Sequence, residues 1–265
     1  MRRTPLAVAA AVALALLLFA VVLGPVIWAD DALKIDTMAI TQGASAAHPM
    51  GTDGLGRDVL ARVMVASRLT VGLALLATLI AVAGGLVLGA LPAVLGRRVG
   101  RLVNGLIGLV VAFPGLLIAL VLAVVLGSGG RSAAFAIGLA SVPAFARLTQ
   151  TLAASVAGRD FVAAAKVLGV GRTRMLVRHI LPNIAEPLIV QATLGAGGAL
   201  LAFAALSFLG LGVQAPGYDW GLLLNEGLNR IYLNPSAALA PGIAVVLAGV
   251  AFNILGEFAA QSRRE

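Results

Sequence analysis

Apolar residues follow one another in six long runs, which alternate with shorter polar segments. The runs cover residues 6–28, 69–91, 102–126, 133–148, 188–211 and 237–256, and the fourth continues in weaker form towards Val156. A helix rises 1.5 Å per residue, so about 20 apolar residues cross the ~30 Å hydrocarbon core of a bilayer. The pattern therefore predicts an all-α, polytopic membrane protein with about six transmembrane helices.

Composition supports a bilayer as the main solvent, because 60% of the residues are hydrophobic and only 11% are charged. The chain has no cysteine, which excludes disulfides, thiolate metal sites and thiol catalysis. Its formal net charge of +8 is spread over several loops and has no interleaved aromatic residues. We therefore expect no nucleic-acid partner, since basic residues in a membrane protein mark the cytoplasmic side.

The distribution of Lys and Arg predicts the orientation of the spans. With the N-terminus inside, 13 of the 19 Lys and Arg residues lie in the inner segments and six in the outer ones. Both termini are then cytoplasmic. The first run also invites interpretation as a cleaved signal peptide. However, it is longer than the usual 7–15-residue apolar core of such peptides, so we expect a retained helix.

Residues 158–183, here called the basic segment, lie between the fourth and fifth runs on the cytoplasmic side. The segment contains five cations, Arg159, Lys166, Arg172, Arg174 and Arg178, against the single acid Asp160. One interpretation is an amphipathic surface element that rests on anionic lipid. Alternatively, the segment docks a cytoplasmic partner through an apolar stripe with a charged rim.

The apolar positions of the basic segment predict a short helix, a break and a second helix. Phe161, Ala165 and Leu168 fall at i, i+4 and i+7, which places them on one helical stripe. Gly169 and Gly171 then end this helix, and Pro182 marks the point where a helix restarts at the membrane edge.

The basic segment resembles the "EAA" cytoplasmic loop of ABC-importer permeases, whose pattern is Glu-Ala-Ala, three residues, Gly and a distant Leu-Pro. Ala164, Ala165 and Gly169 match the pattern, as do Leu181 and Pro182. The run RHILPN resembles the dipeptide/oligopeptide/nickel branch of that family. Three further runs resemble the same branch, in the family's order: HPMGTDGLGRDVLARV at 48–63, LSFLGLGVQAPGYDWG at 206–221 and FNILGE at 252–257.

The chain departs from the motif at Ala163, which stands where the family has glutamate. Asp160, about one helical turn earlier, is the carboxylate available to replace it. The resemblance implies that the basic segment docks onto a partner ATPase. The residues expected at this contact are Asp160, Phe161, Ala164, Ala165, Leu168, Gly169, Arg172, Arg178 and Pro182.

The resemblance implies a type I ABC-importer permease that moves peptides or similar small solutes across the cytoplasmic membrane of a prokaryote. Residues 1–68 then form an N-terminal helix and outer segment, 69–257 the transport domain and 258–265 a tail. The implied partners are a second related permease subunit, two cytoplasmic ATPases, an outer solute-binding protein and membrane lipid. The chain has no Walker A motif, so ATP and Mg are expected in the ATPases and no cofactor in this chain.

Two other classes of protein compete with this interpretation, an ion-coupled secondary carrier and an intramembrane enzyme. The runs hold no Asp, Glu, Lys or His between their ends, whereas ion-coupled carriers place ionisable groups at membrane depth. No clustered nucleophile and base is visible for an enzyme. Both alternatives are therefore disfavoured. As residues that line a translocation path we suggest Asn104, Pro114 and Gln191.

The outer stretch 48–58 contains His48, Asp53 and Asp58, which are residues that bind metals, but its glycines favour tight turns over a metal site. Arg57, Asp58, Arg62 and Arg68 are expected to form a solvated helix ahead of the second span. Glycines in the runs, among them Gly84, Gly85, Gly89, Gly105, Gly108 and Gly198, are expected to let helices approach closely.

Overall fold

A computed structural model describes residues 3–261, which are mostly helical and contain no β-strand. The helices are α1 (Arg3–Leu18), α2 (Gly24–Ile27), α3 (Ala29–Leu33), α4 (Val59–Leu95), α5 (Arg97–Val111), α6 (Gly115–Leu126), α7 (Gly130–Ala157), α8 (Asp160–Val167), α9 (Arg172–Met175), α10 (Leu181–Phe208), α11 (Trp220–Leu228) and α12 (Ser236–Gln261). Two π-helical turns, Phe19–Leu23 and Leu176–Ile180, join α1 to α2 and α9 to α10.

Five helices in the described part of the chain are long and apolar enough to cross a membrane. They are Ala7–Ile27, Val59–Pro92, Gly130–Ala157, Arg172–Phe208 and Ser236–Gln261. They correspond to five of the predicted spans. The helix of the second predicted span begins at Val59, well before residue 69. The helix of the fourth predicted span continues to Ala157, as the weak extension of its apolar pattern indicates.

The third predicted span, 102–126, is not one continuous helix. It is divided into α5 and α6, whose axes meet at 92°. Pro114 is the N-cap of α6, with a non-helical ψ of 122°, and its missing N–H breaks the hydrogen-bond ladder. Since α6 has only 12 residues, it is about 18 Å long and too short to cross the bilayer alone. The effect of Pro114 is therefore a break between two helices rather than a kink within one.

Glycines bring α4 and α7 into direct contact along their length. A Cβ added at Gly89 would lie 2.6 Å from the Thr149 Cβ, and one at Gly85 would lie 2.9 Å from the Ala146 nitrogen. Such distances are too short for any side chain, so the prediction of close approach is right for these positions. It is wrong for Gly105, Gly108 and Gly198, because a Cβ at those three would meet no atom within 4 Å.

The loop between α10 and α11 is fixed by a buried carboxylate. Asp219 caps α11 by accepting a hydrogen bond from the Leu222 N–H at 2.8 Å, and the Ser207 hydroxyl donates to its other oxygen. Burial raises the pKa of Asp219, against the opposing effect of these hydrogen bonds. The next residue, Trp220, donates its indole N–H to the Val63 carbonyl at 2.8 Å. These contacts join α4, α10 and α11 at one end of the bundle.

Candidate functional site

The basic segment forms a small packed unit at the end of α7. Val162 and Ala165 of α8 are buried against Met175, Leu176 and Ile180, which lie in α9 and the π-helical turn after it. The same cluster includes residues of the two spanning helices that flank the segment, namely Ala153, Val156, Ile184 and Leu188. The basic segment is therefore attached to α7 and α10 by a shared hydrophobic core.

Gly169 follows the C-cap of α8 and adopts a left-handed backbone conformation that ends the helix. Its φ of 77° lies in the left-handed region, which L-residues with a Cβ rarely adopt. The Gly169 N–H donates to the Lys166 carbonyl at 3.0 Å and the Val170 N–H to the Ala165 carbonyl at 3.1 Å. This pair of bonds is a Schellman motif, which turns the chain sharply from α8 towards α9.

The outer surface of α8 exposes large apolar side chains. Val167 is 89% exposed, Leu168 83% and Phe161 40%, and Ala164 is exposed beside them. We call these four residues the apolar patch. Soluble surfaces rarely gather apolar side chains in this way unless something binds there.

Ala165 does not belong to the exposed stripe that its spacing predicts. It is buried in the core of the basic segment, whereas Phe161 and Leu168 are exposed. The reason is that α9 packs against the face of α8 that carries Val162 and Ala165. Ala165 therefore supports the fold of the segment and is not a surface contact.

The charged residues of the basic segment that the sequence singled out are exposed, like the apolar patch. Arg172 and Arg178 are exposed, as are Asp160 and Ala163, which occupies the motif's glutamate position. Asp160 is the first residue of α8, where a carboxylate also interacts favourably with the helix dipole.

Pro182 is exposed in the first turn of α10, at one of the first two helical positions, as predicted for a proline at a helix start. No gap precedes α10, however, because helical residues continue from Arg172 to Phe208. The π-helical turn Leu176–Ile180 precedes the proline and adds the extra backbone room that its ring requires.

The three suggested path residues are not brought together by a hydrogen bond within residues 3–261. Asn104 is exposed on α5, which packs against α4 and α7. Gln191 is exposed on α10, and Pro114 is exposed at the break before α6. Their role in a path stays a prediction.

At the other end of the bundle, Arg62 is the centre of an ion-pair network that the sequence did not indicate. Its guanidinium donates to Asp53 at 2.6 Å and to Glu226 at 2.8 Å, and it lies 4.6 Å from the centre of the Tyr218 ring. Arg57 also donates to Asp53, at 2.7 Å. The prediction of a solvated helix is wrong for Arg62, which is 3% exposed. It is also wrong for Arg57 and Asp58, because both precede α4 and are partly buried.

The pKa of Asp53 lies below its usual value, although burial acts to raise it. Hydrogen bonds from the backbone N–H groups of Leu55 and Arg57 and the charges of Arg62 and Arg57 outweigh that burial. Asp53 is therefore ionised at neutral pH and holds the loop before α4 to the start of that helix.

His48 and Asp58 form a separate pair, with 2.8 Å between the imidazole Nδ1 and the carboxylate. Asp58 also caps α4 by accepting the Ala61 N–H at 2.8 Å. Because Asp53 instead faces two arginines, the three residues do not converge on a metal site. Gly51 and Gly56 have φ values of 70° and 75°, which agrees with the predicted tight turns.

The long apolar helices define a multi-pass membrane protein. The basic segment is packed at the end of two of them, α7 and α10. The family profile described as binding-protein-dependent transport system inner membrane component matches residues 81–265. The chain therefore belongs to this family of transport permeases. Membership in this family agrees with the resemblance in the sequence motifs and does not favour an ion-coupled carrier.

Curated relatives cover most of the chain. It is 34% identical over 97% of its length to the dipeptide transport system permease protein DppC of Alkalihalophilus pseudofirmus, of which 84% is covered. It is 35% identical to the probable D,D-dipeptide transport system permease protein DdpC of Escherichia coli, over 97% and 86% of the two chains. The nickel transport system permease protein NikC of Escherichia coli is 34% identical, over 86% and 82%.

Proposed function

We propose that this chain is the subunit through which an ATP-driven importer couples its ATPases to the passage of small peptides or similar solutes. The observation that carries the proposal is the apolar patch on the basic segment. Two of the similar proteins are named as dipeptide permeases and a third as a nickel permease, which supports a small solute.

The apolar patch has the chemistry of a protein-docking surface. Its large side chains lie at the end of α8, and the exposed arginines of the same segment would set orientation rather than affinity. Docking buries Phe161, Val167 and Leu168, whose exposure is otherwise unfavourable in water. A groove on each ATPase is the expected receptor for this helix.

The proposed complex contains a second related permease subunit, two cytoplasmic ATPases and a solute-binding protein on the outer side. ATP and Mg are bound by the ATPases, and membrane lipid surrounds the spans. The excess of Lys and Arg in the inner segments supports cytoplasmic termini and a cytoplasmic basic segment. The proposed division is 1–68 for the N-terminal part, 69–257 for the transport domain and 258–265 for the tail, although α4 runs continuously across the first of these boundaries.

The mechanism follows from the core that the basic segment shares with α7 and α10. When the ATPases close on ATP, they displace the docked segment, and the buried cluster passes this displacement to both helices. ATP binding drives transport only if the inward-open and outward-open states hold the basic segment in different positions. The glycine contact between α4 and α7 then transmits the movement to a third spanning helix.

Transport is tested by reconstituting the complete complex in vesicles that contain ATP. We expect uptake of labelled alanyl-alanine that requires both ATP and the solute-binding protein. Uptake that continues without ATP and stops when the ion gradients are collapsed would contradict the proposal, because it would indicate a secondary carrier.

A further inference from the structure

A cavity of about 320 Å³ lies at the end of the bundle opposite the basic segment. It is bounded by the outer loop at Thr41 and Gly54, by the start of α4 and by the end of α11. The basic segment packs near Leu86 on the same α4, so the two sites are separated by most of that helix. The cavity is in the size range of pockets that bind small molecules.

Three arginines and two carboxylates line the cavity, and one arginine is left without an acidic partner. Arg57 and Arg62 pair with Asp53, and Arg62 pairs with Glu226. Within residues 3–261, the guanidinium of Arg230 has no ion pair, and its one hydrogen bond is a long 3.5 Å contact with the Thr41 hydroxyl. The lining therefore carries one net positive charge.

Arg62 supplies a second unfilled position. Although this side chain is 3% exposed, its Nε is buried without a hydrogen-bond partner in the described residues. A buried donor without a partner is costly. Because this atom is buried, Arg230 is the guanidinium that an anionic group in the cavity can reach, and Arg62 adds positive charge to the cavity wall.

Glu226 adds an acceptor beside these donors. Its side chain is 42% exposed, and Arg62 engages only its Oε2 atom. The remaining oxygen is available to an ammonium group. Leu55, Val63 and Leu223 provide apolar wall next to the charged groups. The combination of free cation, half-exposed carboxylate and apolar wall fits a zwitterion with small side chains.

Gly54 makes room for Arg230. A Cβ at this position would lie 2.6 Å from the Arg230 Nε, so a side chain there would displace the guanidinium. The absence of a side chain at Gly54 therefore lets the Arg230 guanidinium lie against the loop backbone, beside the cavity.

We propose that this cavity is a solute site on the permease itself, which binds small zwitterionic peptides by their terminal carboxylate through Arg230. The inference rests on the proposed function, which places this end of the bundle on the outer side. A solute released from the binding protein is then held by Arg230 and Glu226 before it enters the path. A small molecule suits the site better than a partner's surface, because the site is a cavity with apolar wall beside its charged groups.

The test measures equilibrium binding of radiolabelled alanyl-alanine to the complete importer in nanodiscs, without the solute-binding protein. We expect Arg230→Gln to weaken binding about tenfold or more, as loss of one charge-assisted hydrogen bond predicts. Gly54→Ala, which displaces Arg230, is expected to weaken it less. Arg131→Gln removes another exposed arginine, at the start of α7, and is expected to change nothing. Alanyl-alaninamide, which lacks the carboxylate, is expected to compete poorly.

Equal binding by Arg230→Gln and the unmodified complex, or equal competition by the amide, would overturn the inference. The inference would also be overturned if Arg230→Gln bound the dipeptide normally but bound the solute-binding protein more weakly. Arg230 would then pair with a carboxylate of that partner and not with the solute. ATP-driven uptake by the same preparation separates the two proposals. If uptake persists while dipeptide binding is absent, the cavity proposal fails and the proposed function stands; if uptake is absent, the proposed function fails.

Discussion

Replacing Leu168 with aspartate is expected to reduce ATP-driven uptake to background while the chain still folds and inserts. Leu168 is 83% exposed, so the folded subunit loses no packing when it is replaced. In the complex the new carboxylate would be buried in an apolar contact, which costs about 2 kcal/mol or more at the centre of an interface. Docking of the ATPases is then weakened about 30-fold or more. Uptake by reconstituted vesicles and co-purification of the ATPases measure the effect.

The matched control is Thr173→Asp, which adds the same charge at an exposed position of α9 outside the apolar patch. We expect this variant to retain its ATPases and most of its uptake. Equal loss in both variants would indicate a general effect of negative charge on the basic segment. Full activity of Leu168→Asp would show that the apolar patch is not the docking surface.

Gly85→Ala is expected to destabilise the helix bundle by about 1–3 kcal/mol. The added Cβ would overlap the Phe145 Cβ and lie 2.9 Å from the Ala146 nitrogen, so α4 and α7 must separate. A backbone cannot yield as a flexible side chain does. The other contacts along the same pair of helices, such as Gly89 on Thr149, weaken as well. Thermal unfolding in detergent, followed by the loss of helical signal, measures the change.

Gly72→Ala provides the comparison, because Gly72 lies in the same helix and a Cβ there meets no atom within 4 Å. The substitution reduces the conformational freedom of the unfolded chain, so we expect unchanged or slightly higher stability, by about 0.5–1 kcal/mol. A similar loss of stability in both variants would show that the α4–α7 contact is not what makes Gly85→Ala harmful.

The spanning helices could be predicted from sequence because lipid exposure makes each of them a long apolar run. The division of the third run could not, since α5 and α6 are both apolar enough to belong to one span. A proline such as Pro114 predicts that the helix is disturbed, but the same sequence signal is expected for a kink and for a 92° break. Which of them forms depends on how α5 packs against α4 and α7.

The candidate sites were predictable where the determinants are local. The glycine turn at Gly169 follows from its sequence context, and its φ of 77° agrees. The burial of Ala165 depends instead on α9 folding back over α8. Arg62 likewise is buried because Glu226, from a distant part of the chain, completes its ion pairs. A period of 3.6 residues identifies a helical stripe but not the element that covers it.

Cross-linking from the apolar patch tests the docking proposal most directly. The chain has no cysteine, so Leu168→Cys introduces a single thiol, which a photoreactive maleimide modifies in membranes that contain the ATPases. We expect illumination to join this subunit to an ATPase subunit. Leu55→Cys, exposed on the outer loop, is expected to give no such product. Products with lipid alone from Leu168→Cys, or an ATPase adduct from Leu55→Cys, would contradict the proposal that the basic segment couples the ATPases to transport.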